Sequence, residues 1–394
     1  MRVLHVASAY GYWGALHPNC LDVEDKGQVG GGETAMLYAA FELAARGHDV
    51  TCAFRCKPQK YRGVTFHPTA DIETLLYDED WDAIVSWDNV EPLLPLQGEG
   101  IRLICSNQMN GISPLAQHNQ EILFVSPSRT HARLMHHRYG IPLEHFSAIP
   151  NAVDPSWYDF GATRNPFSVM YASSPDRGLH HLLQLWPQIR TREPRAELHV
   201  YYEISRWLSM CESIPYIAPE MAGLAKMIRR FRYSLDASDG VFWEGAVHPR
   251  QVARDMCRAG VLAYPCETIF FTEGFGTTPM QAHIAGMRVI LSDTDAFPDV
   301  YGSGPGLDEP AGLPLVGSAG EANPLIPRTE IPAEFAPRVV EAMRSMVGRE
   351  GWAWSSPASA RQLADRYSWT RVGAMWEEVI RGERVWWPEG KWTP

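Results

Sequence analysis

YPCETIFFTEGFGTTPMQAHIAGM, residues 264–287, decides the reading of this chain. It continues a short apolar run, Gly260–Tyr264, whose length and flanking residues mark a buried strand. A glycine turn follows at Gly274-Phe275-Gly276, and then a helical pattern runs through Met280, Ile284 and Met287. Pro279 suits the first turn of a helix, where a missing N–H costs nothing. A glycine loop entering a helix offers backbone N–H groups and the positive end of the helix dipole, so the segment predicts an anion site with phosphate as its natural guest.

A carboxylate, Glu273, precedes the turn, and seven residues separate it from the next polar candidate, Gln281. Beside a phosphate, a carboxylate is useful only against hydroxyls or a developing cation. A nucleotide-linked sugar supplies both. A bland strand–turn–helix with solvated polar ends explains a lone glycine turn, but the acid, the paired glycines and the helix start coincide here and favour a site.

Strand and helix patterns alternate along the chain. Strands are predicted at 1–8, 48–54, 82–86, 101–106 and 122–127, with a helix over Ala35–Arg46 between the first two. A second series runs Ser168–Ala172, helix His180–Arg190, Glu197–Tyr202, helix Met221–Leu235, Val241–Trp243, helix Pro249–Arg258 and Val261–Tyr264. Helix Pro279–Ala285 and strand Arg288–Ser292 follow. The Pro-, Gly- and aromatic-rich stretch Asp154–Pro166 reads as a hinge, and Gly302–Pro337 as a long surface excursion. The expected fold is α/β, two doubly wound domains with a cleft between them at the carboxyl ends of their strands. The boundaries are drawn at 1–160 and 161–365.

Several blocks resemble retaining glycosyltransferases of family four, which have the GT-B fold. That family carries a Glu, seven residues and a second Glu, opening E-G-F-G. This chain keeps Glu273-Gly274-Phe275-Gly276 and has Gln281 in the second position. Ile149-Pro150-Asn151-Ala152-Val153-Asp154 is similar to the family's I-P-N-G-V-D. Trp243–Val247 and Ala259–Pro265 resemble its F-x-G-x-V and A-D-V-x-x-x-P blocks. Gly30–Thr34 and Arg46–Val50 resemble its G-G-x-E and R-G-H-x-V. Together they cover most of the chain in the right order.

The resemblance implies two Rossmann-like domains, an N-terminal one holding the acceptor and a C-terminal one gripping a nucleotide-diphosphate sugar. It also implies that the C-terminal helix, from about Arg371 to Gly382 within 366–394, returns to the first domain. On the donor side it points to Gly274, Phe275, Gly276, Thr277, Thr278 and Gln281, with Ser173, Ser174 and Arg177 as a second phosphate contact. Arg177 stands where the family has Lys, which keeps the charge and adds bidentate geometry. A solvated helix-start residue is the plainer reading of Arg177.

Many family members place a His after the fourth strand; here Asn107 and Gln108 occupy that place, and an amide orients hydroxyls without exchanging a proton. Asp88 offers a carboxylate nearby, or else simply a turn residue. The assigned catalytic set is Glu273, Arg177, Asn107 and Gln108. On the acceptor side stand Gly31 and Gly32, Asp88, and Tyr12 and Trp13 from the aromatic and acidic stretch Ala9–Gly30. Family enzymes retain anomeric configuration by front-side attack, with the donor phosphate taking part. Asp293-Thr294-Asp295 has the D-x-D form of metal-dependent transferases but follows a strand, so it reads as a turn or cap, and no metal or other cofactor is assigned. His248 and His283 read as structural.

With 394 residues, two domains are expected. A hydrophobic fraction of 45% and a charged fraction of 21% fit a globular protein. A net charge of −11 without a long basic run argues against nucleic acid or an anionic membrane as the main partner. The basic cluster 227–232 reads as the solvated stripe of an amphipathic helix. No apolar run is long enough to cross a bilayer, and Met1–Ser8 reads as a first buried strand rather than a leader. Seven scattered cysteines without C-x-x-C spacing suit a reduced, cytoplasmic protein.

The favoured function is a sugar transferase of the hexosyltransferase class, acting from a nucleotide sugar onto a small-molecule, lipid-linked or glycan acceptor. The alternatives are a catalytically silent nucleotide-sugar-binding module, or an epimerase or phosphorylase on the same architecture. A nicotinamide dehydrogenase is disfavoured, because G-x-G-x-x-G is absent after the first strand.

Overall fold

The computed structural model describes residues 1–7, 16–23, 29–78, 80–109, 111–118, 121–213, 219–269, 273–301, 325–348 and 357–387. The chain divides into two compact units, Met1–Val153 with Arg366–Pro394, and Asp154–Asp365.

The first unit opens with β1 (Arg2–Ala7), a run of five fully buried residues after Arg2. α1 (Gly31–Ala45) starts a turn before its apolar pattern does, because Gly30 is extended and the Glu33 carboxylate takes the Gly30 N–H, closing the helix start. β2 (Asp49–Phe54) follows, then a hairpin of β3 (Gln59–Tyr61) and β4 (Val64–Pro68), and α2 (Ile72–Asp78). β5 (Ala83–Trp87), β6 (Arg102–Ser106), β7 (Leu123–Ser126), α3 (Arg129–Tyr139) and β8 (Phe146–Ala148) complete the series. Among the described residues the sheet order is β3-β4-β2-β1-β5-β6-β7-β8, parallel throughout except for the β3–β4 pair. Parallel strands buried on both faces read as continuous apolar runs, as β1 and β5 do. β1 lies between β2 (Val3↔Val50) and β5 (Leu4↔Ile84), so the chain changes direction across the sheet at β1 and β5.

The second unit begins with the stretch read as a hinge, whose Trp157, Tyr158 and Phe160 are buried. Its elements are β9 (Asn165–Tyr171), α4 (Leu179–Arg192), β10 (Glu197–Tyr201), α5 (Ile204–Ser213), α6 (Pro219–Ser234), β11 (Val241–Gly245), α7 (Pro249–Arg258), β12 (Ala259–Tyr264), α8 (Thr277–Ile284), β13 (Arg288–Leu291), α9 (Phe297–Tyr301), α10 (Ile331–Ser345) and α11 (Pro357–Arg366). Among the described residues all strands of this unit are parallel, in the order β11-β10-β9-β12-β13. The switch point therefore falls between β9 and β12, registered Val169↔Val261. α6 buries Leu224, Ala225 and Ile228 and leaves its basic stripe outward, as the sequence suggested. The excursion expected over Gly302–Pro337 is corrected from Ile331 onward, where α10 buries Phe335, Val339 and Val340. Pro337 misled the reading: it lies inside α10, where proline normally breaks a helix. Residues 302–324 lie outside the described set.

The chain then returns to the first unit through α12 (Trp369–Ile380). Trp369 stacks on Tyr38 of α1 with ring centroids 4.9 Å apart, and Trp376 packs on Trp87 at 5.4 Å. Arg46 donates to the Thr370 carbonyl at 2.7 Å. Burying two tryptophans this way stabilises the unit by several kcal/mol, at about 25 cal/mol per Å² over roughly 150–250 Å² each. Beyond α12, at the edge of β8, the Ala148 N–H donates to the Val385 carbonyl at 2.8 Å and the Ala148 carbonyl accepts from the Trp387 N–H at 3.0 Å.

Candidate active site

In the second unit the loops leaving β9 and β12 carry the residues of interest, at the carboxyl ends of the two strands flanking the switch point. After β9, Tyr171 donates to the Ser174 carbonyl at 2.8 Å and the Arg177 N–H to the same carbonyl at 3.1 Å, folding Ser173–Arg177 into a turn. Gly178 ends the turn with φ +91° and caps α4. A Cβ on Gly178 would sit on the Pro265 carbonyl oxygen, so the post-β9 loop lies against the post-β12 loop there.

Beyond β12, residues 270–272 lie outside the described set, and Glu273 re-enters fixed by its backbone. Its N–H donates to Asp295 at 3.1 Å, and its carbonyl accepts from the Ala296 N–H at 3.2 Å. Thr268 donates to the same Asp295 oxygen at 2.7 Å. Asp293 accepts from the Arg328 N–H at 2.9 Å, so the D-x-D acids serve as backbone acceptors in a turn. Gly276, at φ +83°, caps α8; its carbonyl accepts from the Tyr301 hydroxyl, and a Cβ would meet the Phe297 ring at 2.5 Å. Thr278 donates to the Ala172 carbonyl at 2.7 Å, tying α8 to the end of β9. Gln281 is half-buried in the second turn of α8.

Arg177 Nη1 pairs with Glu273 Oε1. The Tyr264 hydroxyl donates to the same oxygen at 3.0 Å, and the Ser173 hydroxyl lies 2.8 Å from Tyr264. Tyr264 has one proton and gives it to the carboxylate, so Ser173 is the donor in that second bond. The Glu273 side chain is 2% exposed and that of Arg177 33%. Burial pushes the Glu273 carboxyl above its ordinary value, and Arg177 and Tyr264 pull it part of the way back. Burial disfavours the charge on Arg177, but the Glu273 carboxylate outweighs it and holds the guanidinium above its ordinary range. Arg177 Nε is buried and has no partner among the described residues. The site thus presents a buried acid beside a cation at the entrance to a helix, an arrangement suited to a sugar linked to phosphate.

Two histidines deserve separation from this set. His283 is buried in α8 and burial pushes it down to about 4. His248 caps α7, accepting from the Arg250 N–H at 3.2 Å. Both hold structure.

In the first unit, Asp88 leaves β5 with φ +55°, and its Oδ1 accepts from the N–H groups of Gln108 at 2.6 Å and Met109 at 2.9 Å. The carboxylate is committed to holding the loop after β6. Asn107 is fully buried, and neither its Oδ1 nor its Nδ2 has a partner among the described residues. Gln108 Oε1 accepts from Asn151 Nδ2 at 3.1 Å. Asp88, Asn107 and Gln108 therefore form one cluster at the ends of β5 and β6. Gly31 and Gly32 are the first residues of α1 rather than an open loop. Tyr12 and Trp13 lie outside the described residues. Asp22 of the same stretch takes up the Tyr61 hydroxyl and pairs with Arg62 at 2.6 Å.

Reasoning from sequence passed over Tyr264, which read only as the end of a strand, and Asp295, which read as a turn acid without its partner. A tyrosine closing a buried parallel strand at a switch point is the one signal that marked Tyr264.

No protein-family model matches the sequence. No curated protein matches it either. Solved structures do. AviGT4, a glycosyltransferase involved in avilamycin A biosynthesis, aligns at 14% identity over 97% of each chain with a TM-score of 0.57. Sucrose-phosphate synthase from Thermosynechococcus elongatus aligns at 13% identity over 97% of this chain and 98% of its own, with a TM-score of 0.61. The pneumococcal O-GlcNAc transferase GtfA, solved in complex with UDP and GlcNAc, aligns at 14% identity over 79% of this chain and 58% of its own, with a TM-score of 0.52. The fold is the α/β fold of GT-B glycosyltransferases, with two parallel-sheet, Rossmann-like domains.

Proposed function

We propose that this chain is a nucleotide-sugar-dependent glycosyltransferase of the retaining, family-four kind, moving a hexose from a nucleoside diphosphate to an acceptor hydroxyl. The observation that carries the reading is Glu273, a buried acid held by Arg177 and Tyr264 where the loops after β9 and β12 meet. The second unit takes the donor. Its diphosphate sits against the entrance to α8, with Ser173, Ser174, Gly274, Phe275, Gly276, Thr277 and Thr278 around it. Arg177 supplies the countercharge through its guanidinium, which is ionised at any working pH. Glu273 faces the hexose hydroxyls, and Gln281 adds an amide that both donates and accepts. The first unit holds the acceptor through Asn107 and Gln108, whose loop Asp88 positions, with Gly31 and Gly32 at the start of α1 and Tyr12 and Trp13 earlier in the sequence between β1 and α1.

Charge developing on the leaving diphosphate is offset by a guanidinium and a helix terminus already in place, an effect worth several kcal/mol in a water-excluded site. No metal takes part in this transfer step. The UDP and GlcNAc held by the pneumococcal neighbour make UDP-sugars the first donors to try. Among the described residues no helix is long and apolar enough to cross a membrane. All seven cysteines are free thiols, which suits the reducing conditions of a cytoplasm.

The test is nucleotide release from a panel of UDP-, GDP- and dTDP-sugars by the purified chain, with thermal stabilisation by the free nucleotides measured in parallel. Release from one donor, lost in Glu273→Gln, is the expected result. Stabilisation without release identifies a silent binding module instead. Neither response to any nucleotide overturns the reading.

A further inference from the structure

Two adjacent histidines follow Leu179 in the first turn of α4, behind the Gly178 cap, and neither belongs to the donor set described above. The imidazoles of His180 and His181 lie with ring centroids 3.9 Å apart. His181 Nε2 meets the carboxylate of Glu267, which comes from the other loop, three residues past the end of β12. The close approach of Gly178 to Pro265 is what brings these two segments of chain together. One ligand atom from each of His180, His181 and Glu267 lies within 4.8 Å of the other two.

The geometry points to a divalent transition-metal site at His180, His181 and Glu267, with Zn²⁺ as its representative ion and one or more coordination positions left to water. Two imidazoles and one carboxylate match the donor set of open zinc sites and of the two-histidine, one-carboxylate facial arrangement. Nitrogen ligands disfavour Mg²⁺ and Ca²⁺, which take oxygen. Ligand atoms around one Zn²⁺ stand about 3.4 Å apart in a tetrahedron and at most about 4.2 Å apart, given bonds of roughly 2.1 Å. The widest separation in the set exceeds the tetrahedral value by up to about 1.4 Å, while the His181–Glu267 contact is shorter than it, so seating an ion draws His180 inward and opens the His181–Glu267 pair through side-chain rotation. A second observation is that Nδ1 of His180 is buried and has no hydrogen-bond partner among the described residues, so the protein leaves one nitrogen of this imidazole unused. Glu267 and His181 remain open to solvent, which gives the ion a way in.

Once bound, the ion joins the start of α4 to the loop after β12, and so fastens the two segments that carry Arg177 and Glu273. Binding itself does not depend on the transferase reading, and the test uses the metal alone.

The experiment titrates the full chain, first stripped with a chelator, with Zn²⁺ in a calorimeter. One ion per chain is expected, with affinity falling at least about tenfold in His181→Ala and in Glu267→Gln. Affinity is expected to stay unchanged when the other adjacent pair, His136 and His137, is replaced by alanine. No uptake by the wild-type chain, or equal uptake by the two site variants, overturns the inference. Where a variant does not fold, the absorption spectrum of the Co²⁺-loaded wild-type protein decides. Ligand-field bands without thiolate charge transfer support nitrogen and oxygen ligands, and a thiolate band places the ion on a cysteine and overturns the assignment.

Discussion

Arg177 and Glu273, 96 residues apart in sequence, form an ion pair that joins the loop after β9 to the loop after β12. The Glu273 side chain is almost fully buried while the Arg177 side chain keeps a third of its surface in solvent. The two ends of the pair are therefore not equivalent, and their removal has different consequences.

Glu273→Gln keeps the shape and the Tyr264 contact but deletes the charge. We expect transfer to fall by about 100-fold or more, with stability changed by no more than about 1–2 kcal/mol, since a neutral amide is cheaper to bury than a carboxylate. Donor turnover and a thermal melt on the same preparation check this. Unchanged turnover removes Glu273 from the site.

Arg177→Met strands a carboxylate in a buried place. Breaking a fully buried pair from one side costs roughly 3–5 kcal/mol; the exposure of Arg177 lowers the expected cost to about 1–3 kcal/mol. The double variant Arg177→Met/Glu273→Gln should recover most of that loss, because no lone charge remains. A double-mutant cycle by chemical denaturation measures the coupling. A double variant as unstable as Arg177→Met alone contradicts the pairing.

Gly178→Ala and Gly47→Ala separate backbone strain from crowding. Both glycines have φ near +90°, but Gly47 faces open space while Gly178 abuts the Pro265 carbonyl. Gly47→Ala should cost about 1–2 kcal/mol, the price of alanine in the left-handed region. Gly178→Ala should cost at least about 3 kcal/mol or prevent folding of the second unit. Equal melting temperatures in the two variants would mean the two loops do not touch.

Acid should destabilise both units. Burial pushes His5 down to about 3, and His131 and His283 down to about 4. The unfolded chain protonates these imidazoles near 6.5, so between about 4 and 6.5 it binds more protons than the folded one. Stability is then complete above about pH 6.5 and falls by roughly 1.4 kcal/mol per pH unit per histidine as pH drops through that window. Glu273 and Glu378 act in the opposite sense, because their raised carboxyls bind their protons more firmly in the folded state, but burial lowers His48 and His180 as well, so five imidazoles stand against two carboxyls. Melting temperatures between pH 7 and pH 4.5 report the slope, and a flat profile contradicts it.

Much of this architecture is legible in the sequence because parallel strands buried on both faces are written as unbroken apolar runs. β1, β5 and β12 were found within one or two residues on that basis alone. Short strands and helices were not. β8 has three residues, and α9 has five with a proline in second place, too few to show a period. α10 hid behind Pro332 and Pro337, which read as loop. At the site, the glycine turn and Glu273 stand together in the sequence, so they were visible. The partners that fix Glu273 are Arg177, Tyr264 and Asp295, and only the sheet order brings the first of these to it. His180 and Glu267 escaped for the same reason, since no spacing rule links residues 87 positions apart whose meeting depends on a glycine against a carbonyl.

A crystal of the chain grown with UDP, GDP or dTDP tests the central claim most directly. The account predicts a pyrophosphate at the entrance to α8, with an oxygen within hydrogen-bond distance of the Arg177 guanidinium. A nucleotide bound elsewhere, with Arg177 still engaged only by Glu273, would contradict it.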